Sequence, residues 1–437
     1  MKDSVKKEFD EKTKTATDAV KCVQSGDVVY IGTCTSTSYH LARALDEHVC
    51  SKNLTDIIID CSMINKELDM FTKPEHYRFN TFFMGNMERR AKKIGCCDFT
   101  SVNLSEINLW FKYTSPPRVA FLEVSVPDDD GYMAFGASGV ATYQYVLEVA
   151  DLIILQINRF APYVFGENNK IHISRADAIV YYDEELYEVA NTPITPEIQK
   201  ISDIILDEIS DGSCIQLGIG AIANAIGFGL QEKNNLGIHT EMMTDSMMLL
   251  MQNGNVTNCC KAIYKGKSVA AFSLGTKKLY DFLNHNEKMC FLPFPIVNNP
   301  CNIAKNNNAI SINSALQIDL YGQVVADNIS GQQFSAVGGQ IDYVKGVQLS
   351  QGGKSFIAVT SENRGKSGIN SRIVSVLPVG TAVTTSRADV QYVVTEYGCV
   401  NLKLLTARQR AQALISIAHP NYRAELTEEA QRIGLLR

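Results

Sequence analysis

The chain has 437 residues, 45% apolar and 20% charged, a globular mix long enough for more than one core, since single cores stop growing beyond about 250–300 residues. A net charge of −6 builds in no bulk attraction to nucleic acid or to an anionic membrane. No apolar run reaches the roughly 20 residues of a membrane span, and Met1-Lys2-Asp3-Ser4-Val5-Lys6-Lys7-Glu8 has no apolar stretch behind its lysines, so it does not read as a secretory signal. A cytoplasmic protein with two cores is expected.

Ser25-Gly26-Asp27-Val28-Val29-Tyr30-Ile31-Gly32 reads as a turn, a buried strand and a glycine at the strand's end, and a helix is predicted over 37–45. Apolar runs at 56–61 and 119–124 read as strands buried on both faces. Between them Arg89-Arg90 and Lys92-Lys93 decorate a helix, as a solvated face or as a partner for a phosphate-bearing cofactor. An acidic turn, Val126 to Tyr132, and a strand-like run, Ala150 to Leu155, follow. Asn191-Thr192-Pro193-Ile194-Thr195-Pro196 is the clearest break, because two prolines three apart forbid a regular helix or central strand. It divides the chain into expected domains 1–192 and 197–437.

Past the break, Ile204-Ile205-Leu206 reads as another doubly buried run, as does 356–359. Asp211-Gly212-Ser213-Cys214-Ile215-Gln216-Leu217-Gly218 repeats the turn, strand and glycine of 25–32, with a helix predicted over 222–231. Ile318-Asp319-Leu320-Tyr321-Gly322-Gln323 echoes 126–132, and 388–394 echoes 150–155. Three echoes in one order predict two copies of an open, largely parallel α/β unit, whose ligands bind beyond the carboxyl ends of strands.

The twelve cysteines include the adjacent pairs Cys96-Cys97 and Cys259-Cys260 but no C-x-x-C, and they read as small buried thiols in a reducing compartment. The seven histidines include no H-x-x-x-H pair, so no metal site is expected.

Five segments have the makings of chemistry. Gly218-Ile219-Gly220-Ala221-Ile222 runs from a strand into a helix start, where free N–H groups favour an anion. It is not a dinucleotide fingerprint, since position 223 is Ala, and the same pattern serves plain helix–sheet packing. His239-Thr240-Glu241-Met242 puts Glu241 at the carboxyl end of a predicted strand, 236–240; if a helix begins there, Glu241 and Asp245 share a face. A carboxylate partly desolvated beside Met242 and Met243 is a nucleophile candidate; a helix-capping acid is the plainer reading. Glu396, in Thr395-Glu396-Tyr397-Gly398, also ends an apolar strand, and spacing alone does not rank the two. Gly338-Gly339-Gln340-Ile341-Asp342-Tyr343 and Gln351-Gly352-Gly353-Lys354 present either oxyanion-binding amides or ordinary turns.

Taken in order, these segments and Leu349-Ser350 before Gln351 resemble the family I coenzyme A-transferases, in particular the acetyl-CoA hydrolase/transferase branch with its 4-hydroxybutyrate and butyryl-CoA:acetate CoA-transferases. The resemblance runs nearly end to end and is strongest from about Cys214 onward. It implies two similar open α/β domains (the CoA-transferase/NagB-like fold) with the active site between them. It makes Glu241 the nucleophile and Glu396 a structural carboxylate. It places Gly338 and Gly339 at the thioester and its oxyanion, and makes Gly218, Ile219, Gly220, Ala221, Ile222 and Gly339 CoA contacts, with Lys354 as a phosphate partner. Coenzyme A enters as substrate and product, with no tightly bound cofactor, and acyl-CoA and short-chain carboxylates are the partners, in a homodimer or homotetramer. The N-terminal domain is the acyl-pocket side, and Thr33-Cys34-Thr35-Ser36-Thr37 departs from what relatives often carry there. The readings that compete are an acyl-CoA hydrolase of the same fold and a non-enzymatic acyl-CoA sensor; no basic helix-turn-helix appendage supports the sensor.

Overall fold

The computed structural model describes residues 2–190, 192–329, 331–365 and 368–437. Met1 and Asn191, the first residue of the expected interdomain break, lie outside them. The chain forms two compact units. The first holds 1–190 with 243–245 and 269–297; the second holds 191–242, 246–268 and 298–437.

The first unit is built on a seven-stranded parallel sheet of β1 (Val28–Thr33), β2 (Ile57–Ser62), β3 (Tyr77–Thr81), β4 (Cys97–Phe99), β5 (Val119–Val124), β6 (Leu152–Ile157) and β7 (Ala178–Tyr181), in the order β4-β3-β2-β1-β5-β6-β7. All six residues of β5 are buried, as a run apolar on both faces requires. The predicted helix after β1 is α1 (Tyr39–Lys52), which ends on Asn53 in the left-handed conformation. The basic cluster falls on α2 (Asn86–Lys93), where Arg90 pairs with Glu67 and Arg89 donates to the Met84 carbonyl.

The second unit opens with α3 (Pro196–Asp207), which corrects two expectations. Pro196 does not keep helix out of the break but starts one: it occupies the first turn, where its missing N–H costs nothing, behind Thr195, whose hydroxyl accepts from Ile198 N–H. Ile204, Ile205 and Leu206 belong to this helix and not to a strand, a three-residue apolar run being too short to tell the two apart. The sheet then uses β8 (Cys214–Leu217), β9 (Gly237–Met243), β10 (Ala309–Ser314), β11 (Lys354–Ala358), β12 (Tyr392–Thr395) and β13 (Gly398–Asn401), ordered β9-β8-β10-β11-β12-β13. These pairs are parallel except β12–β13. The order reverses between β8 and β10 as it does between β1 and β5, so each sheet has the switch point at which open α/β folds bind ligands.

The acidic-turn echo extends to single hydrogen bonds. Asp128 Oδ1 accepts from the N–H groups of Asp130 and Tyr132, and Asp319 Oδ1 accepts from those of Tyr321 and Gln323. Gly131 and Gly322 each take φ +86° within these turns. The same side chain folds the same turn in both units.

Four cysteines, Cys50, Cys259, Cys260 and Cys301, are exposed, against the expectation of generally buried thiols, and Cys290 is half-buried. No helix among the described residues is long and apolar enough to cross a membrane.

Candidate active site

Glu241 lies within β9, two residues before its end, and the following helix starts only at Asp245, as α5 (Asp245–Gln252). No helix begins at Glu241, because the strand continues through Met242 and Met243, past the predicted end at Thr240. The register pairs Cys214 with Gly237 and Ile215 with Ile238, so carried forward it sets Gly218 level with Glu241.

The Glu241 carboxylate is held from two sides. Asn298 Nδ2 donates to Oε2 at 2.9 Å, and the Gly339 N–H donates as well. Gly339 precedes α6 (Gln340–Leu349), so the carboxylate faces the positive end of a ten-residue helix. A Cβ on Gly339 would collide with Glu241 Oε2 and Asn298 Nδ2, which is why this position carries no side chain. Burial, and then the nearby Asp342 carboxylate, push the Glu241 carboxyl up, while Asn298 and Gly339 pull it down; the balance leaves it at about 7. Two further polar atoms here, Asn298 Oδ1 and the Tyr343 hydroxyl, are buried with no hydrogen-bond partner among the described residues.

Gly218 to Ile222 form the turn from β8 into α4 (Ala221–Gly229). Gly218 N–H donates to Ile312 O, and Gly220 takes φ +111° with open space around it. Ile219 is 48% exposed, so a large apolar side chain is presented to solvent beyond the strand ends.

The other predicted positions divide. Gly338, at φ +59°, turns the chain into Gly339 and so belongs with Glu241. Lys354 is not brought to these residues. It opens β11 level with Ile310, at the amino end of its strand, and its ammonium bonds the carboxylate and carbonyl of Glu208 at the end of α3. The carboxyl end of β11 lies four residues on, about 13 Å away at 3.3 Å per residue. Gly352 and Gly353 form the tight turn before that strand. Glu396, just past β12, accepts from the N–H and hydroxyl of Ser361, which ties it into the framework.

Asn298 is the residue that sequence reasoning misses. It sits beside Asn299-Pro300, where Asn299 caps a short helix and Pro300 fills its first turn, and this strong local signal says nothing of its neighbour.

The chain matches the acetyl-CoA hydrolase/transferase N-terminal domain over residues 1–191 and the C-terminal domain of the same family over 275–430. It is 39% identical to a succinyl-CoA:cyclohexane-1-carboxylate CoA transferase of Geobacter metallireducens, covering 99% of this chain and 98% of that protein. It is 39% identical to a 4-hydroxybutyrate coenzyme A transferase of Clostridium kluyveri (97% and 98%). Identity to a butyryl-CoA:acetate CoA-transferase of Anaerostipes caccae is 36%, covering 99% of each. The crystal structure of RipA from Yersinia pestis matches with a TM-score of 0.94 at 33% identity, covering 99% of each chain. The chain belongs to the acetyl-CoA hydrolase/transferase family.

Proposed function

We propose that this CoA-transferase moves CoA between a short-chain acyl-CoA, 4-hydroxybutyryl- or butyryl-CoA, and acetate, by a ping-pong route through a glutamyl-CoA thioester on Glu241. The observation that carries the reading is the cradle of Glu241: one carboxylate, two donors and a glycine whose missing Cβ leaves room for them. The acyl groups and the acceptor follow the names of the Clostridium and Anaerostipes relatives.

The Glu241 carboxylate attacks the thioester carbonyl, the C–S bond breaks, and an acyl-glutamyl anhydride and CoA thiolate form. The thiolate attacks the glutamyl carbonyl and expels the acyl group as its carboxylate, leaving the glutamyl-CoA thioester. Acetate then reverses both steps. When the thiolate attacks the glutamyl carbonyl, the tetrahedral intermediate puts negative charge on the glutamyl oxygen, and the Gly339 N–H and the Asn298 amide, which already bond the Glu241 carboxylate, are the donors placed to meet it, each worth about 2.7–4 kcal/mol when well aimed. The turn Gly218–Ile222, level with Glu241, is the CoA contact in this reading. Binding of the remote CoA moieties supplies energy for the strained intermediate. Residues 1–192 form the acyl-pocket side and 197–437 the nucleophile and CoA side. The enzyme works in the cytoplasm as a homodimer or homotetramer, which light scattering checks. Lys354 is engaged with Glu208, and this reading assigns it no role.

The test is the protein's mass after incubation with butyryl-CoA and then borohydride or hydroxylamine. Conversion of the thioester to an alcohol or a hydroxamate on the peptide containing Glu241 is expected. An unmodified protein that still binds CoA overturns the covalent route, and modification at Glu396 overturns the site. CoA release that needs no acceptor acid makes the enzyme a hydrolase instead.

A further inference from the structure

Away from Glu241, the second unit exposes two adjacent thiols that the proposed chemistry does not use. Cys259 and Cys260 are both exposed, and their sulfurs stand 3.6 Å apart. The Thr257 hydroxyl donates to Cys259 Sγ at 3.0 Å. The turn that presents them is firmly built. Asn258, between Thr257 and Cys259, is buried at φ +56°, accepts from Ile238 N–H and donates to Ser268 Oγ. Lys261, just past the pair, is buried with its ammonium on the carbonyls of Ile238 and Lys267. Anchors on both sides hold the two sulfurs outward and together.

We propose that Cys259 and Cys260 form a reversible oxidation site for small hydroperoxides, with Cys259 the attacking thiolate and Cys260 the resolving thiol. The Thr257 hydroxyl donates to Cys259 Sγ and, with the Cys260 thiol in contact and Lys265 nearby, holds the Cys259 thiol below its ordinary range, while the neighbouring Cys259 holds Cys260 above its own. An exposed, low-pKa thiol next to a second thiol is the arrangement of redox-sensing cysteines.

In the first step the Cys259 thiolate attacks one peroxide oxygen and the O–O bond breaks. Cys259 becomes a sulfenic acid, and the leaving alkoxide or hydroxide takes a proton from water. In the second step the Cys260 sulfur attacks the sulfenic sulfur, the S–O bond breaks, and hydroxide leaves as water with the Cys260 proton. Two thiols are oxidised and one peroxide is reduced. The Cα atoms of adjacent residues stand only about 3.8 Å apart, below the usual span of a disulfide, so a small thiol reductant reopens the bond readily.

The test uses the reduced full-length protein at pH 7 with a small excess of hydrogen peroxide, followed by alkylation and peptide mapping. The peptide holding both residues is expected to lose two hydrogens and to resist alkylation until dithiothreitol is added. Cys260→Ser should stop at a sulfenic acid on Cys259, captured by dimedone. Cys259→Ser should leave Cys260 oxidising about tenfold or more slowly than the pair does in the unchanged protein. Oxidation there no faster than at the exposed Cys50 and Cys301 overturns the proposal. So does an unchanged rate in Cys259→Ser, or a disulfide joining two chains instead of neighbouring residues. None of these outcomes depends on Glu241.

Discussion

Glu241 balances opposing influences, and that balance predicts how the enzyme responds to pH. Burial and Asp342 favour the neutral acid, Asn298 and Gly339 favour the carboxylate, and the result is about 7. Since only the carboxylate attacks, kcat/KM should rise with pH through about 7. Asn298→Ala removes a hydrogen bond to a charged group, worth about 1.5–3 kcal/mol, and should move that limb up by about 1–2 pH units. Asp342→Asn should move it down. Equal limbs in all three proteins would assign the titration to another group. Glu241→Gln should abolish exchange while CoA binding stays measurable, and Glu396→Gln should cost far less; equal losses would sink the ranking of the two carboxylates. The glutamates were legible because each stands at or near the carboxyl end of a strand that the sequence predicts, and the Gly-Gly segment because glycine pairs are rare. Asn298 was not, because a long-range hydrogen bond from a residue next to a helix cap leaves no local pattern.

The helices α4 and α6 both begin at glycine, for different physical reasons, and substitution separates them. Gly339 has φ −93°, which alanine adopts freely, so only the space occupied by Glu241 and Asn298 excludes a methyl group. Gly339→Ala should therefore fold with stability changed by less than about 1 kcal/mol, yet lose at least about a hundredfold in kcat as the donor is displaced. Gly220 has φ +111° and open space, so Gly220→Ala meets strain and no clash. It should cost about 1–3 kcal/mol of stability, since this extended positive-φ conformation is essentially reserved for glycine, and raise KM for CoA more than it lowers kcat. Urea unfolding with steady-state kinetics on both variants checks the contrast. The sequence marks both glycines equally, since glycine before a helix signals either need, and φ decides between them only once the turn is formed. The same ambiguity of short signals put Ile204–Leu206 into a strand, when Thr195-Pro196 ahead of them was already a helix start.

At the scale of the whole molecule, the repeated Asp-x-x-Gly turn and the strand–glycine–helix echoes made the duplication readable. Nothing local assigns 269–297 to the first unit, because an apolar run does not say which core it joins. That core contains a feature of its own: three carboxyls, Asp60, Glu88 and Glu123, are buried in the first unit, each with one oxygen lacking a hydrogen-bond partner among the described residues. Burial is the leading cause that pushes all three up, Glu88 to about 7 and Glu123 to about 8. The sign follows from proton counting. Above the ordinary carboxyl range, near 4.3, the unfolded chain has released these protons while the folded chain keeps them. Stability must then fall as pH rises from about 4.5 toward 8, by up to about 1.4 kcal/mol per unit for each carboxyl still protonated. Glu123 offers the cleanest test. Its Oε2 accepts from Gln156 and Asn158, so Oε1 is the oxygen left for the proton, and a glutamine reproduces the neutral acid with one acceptor and one donor. Glu123→Gln should match the wild type near pH 4.5 and gain on it steadily up to about pH 8, read as urea midpoints across the range. A parallel pH dependence in the two proteins would mean that Glu123 is ionised in the folded state. Lys66, whose charge already favours the Glu123 carboxylate against burial, would then be the partner that holds it ionised.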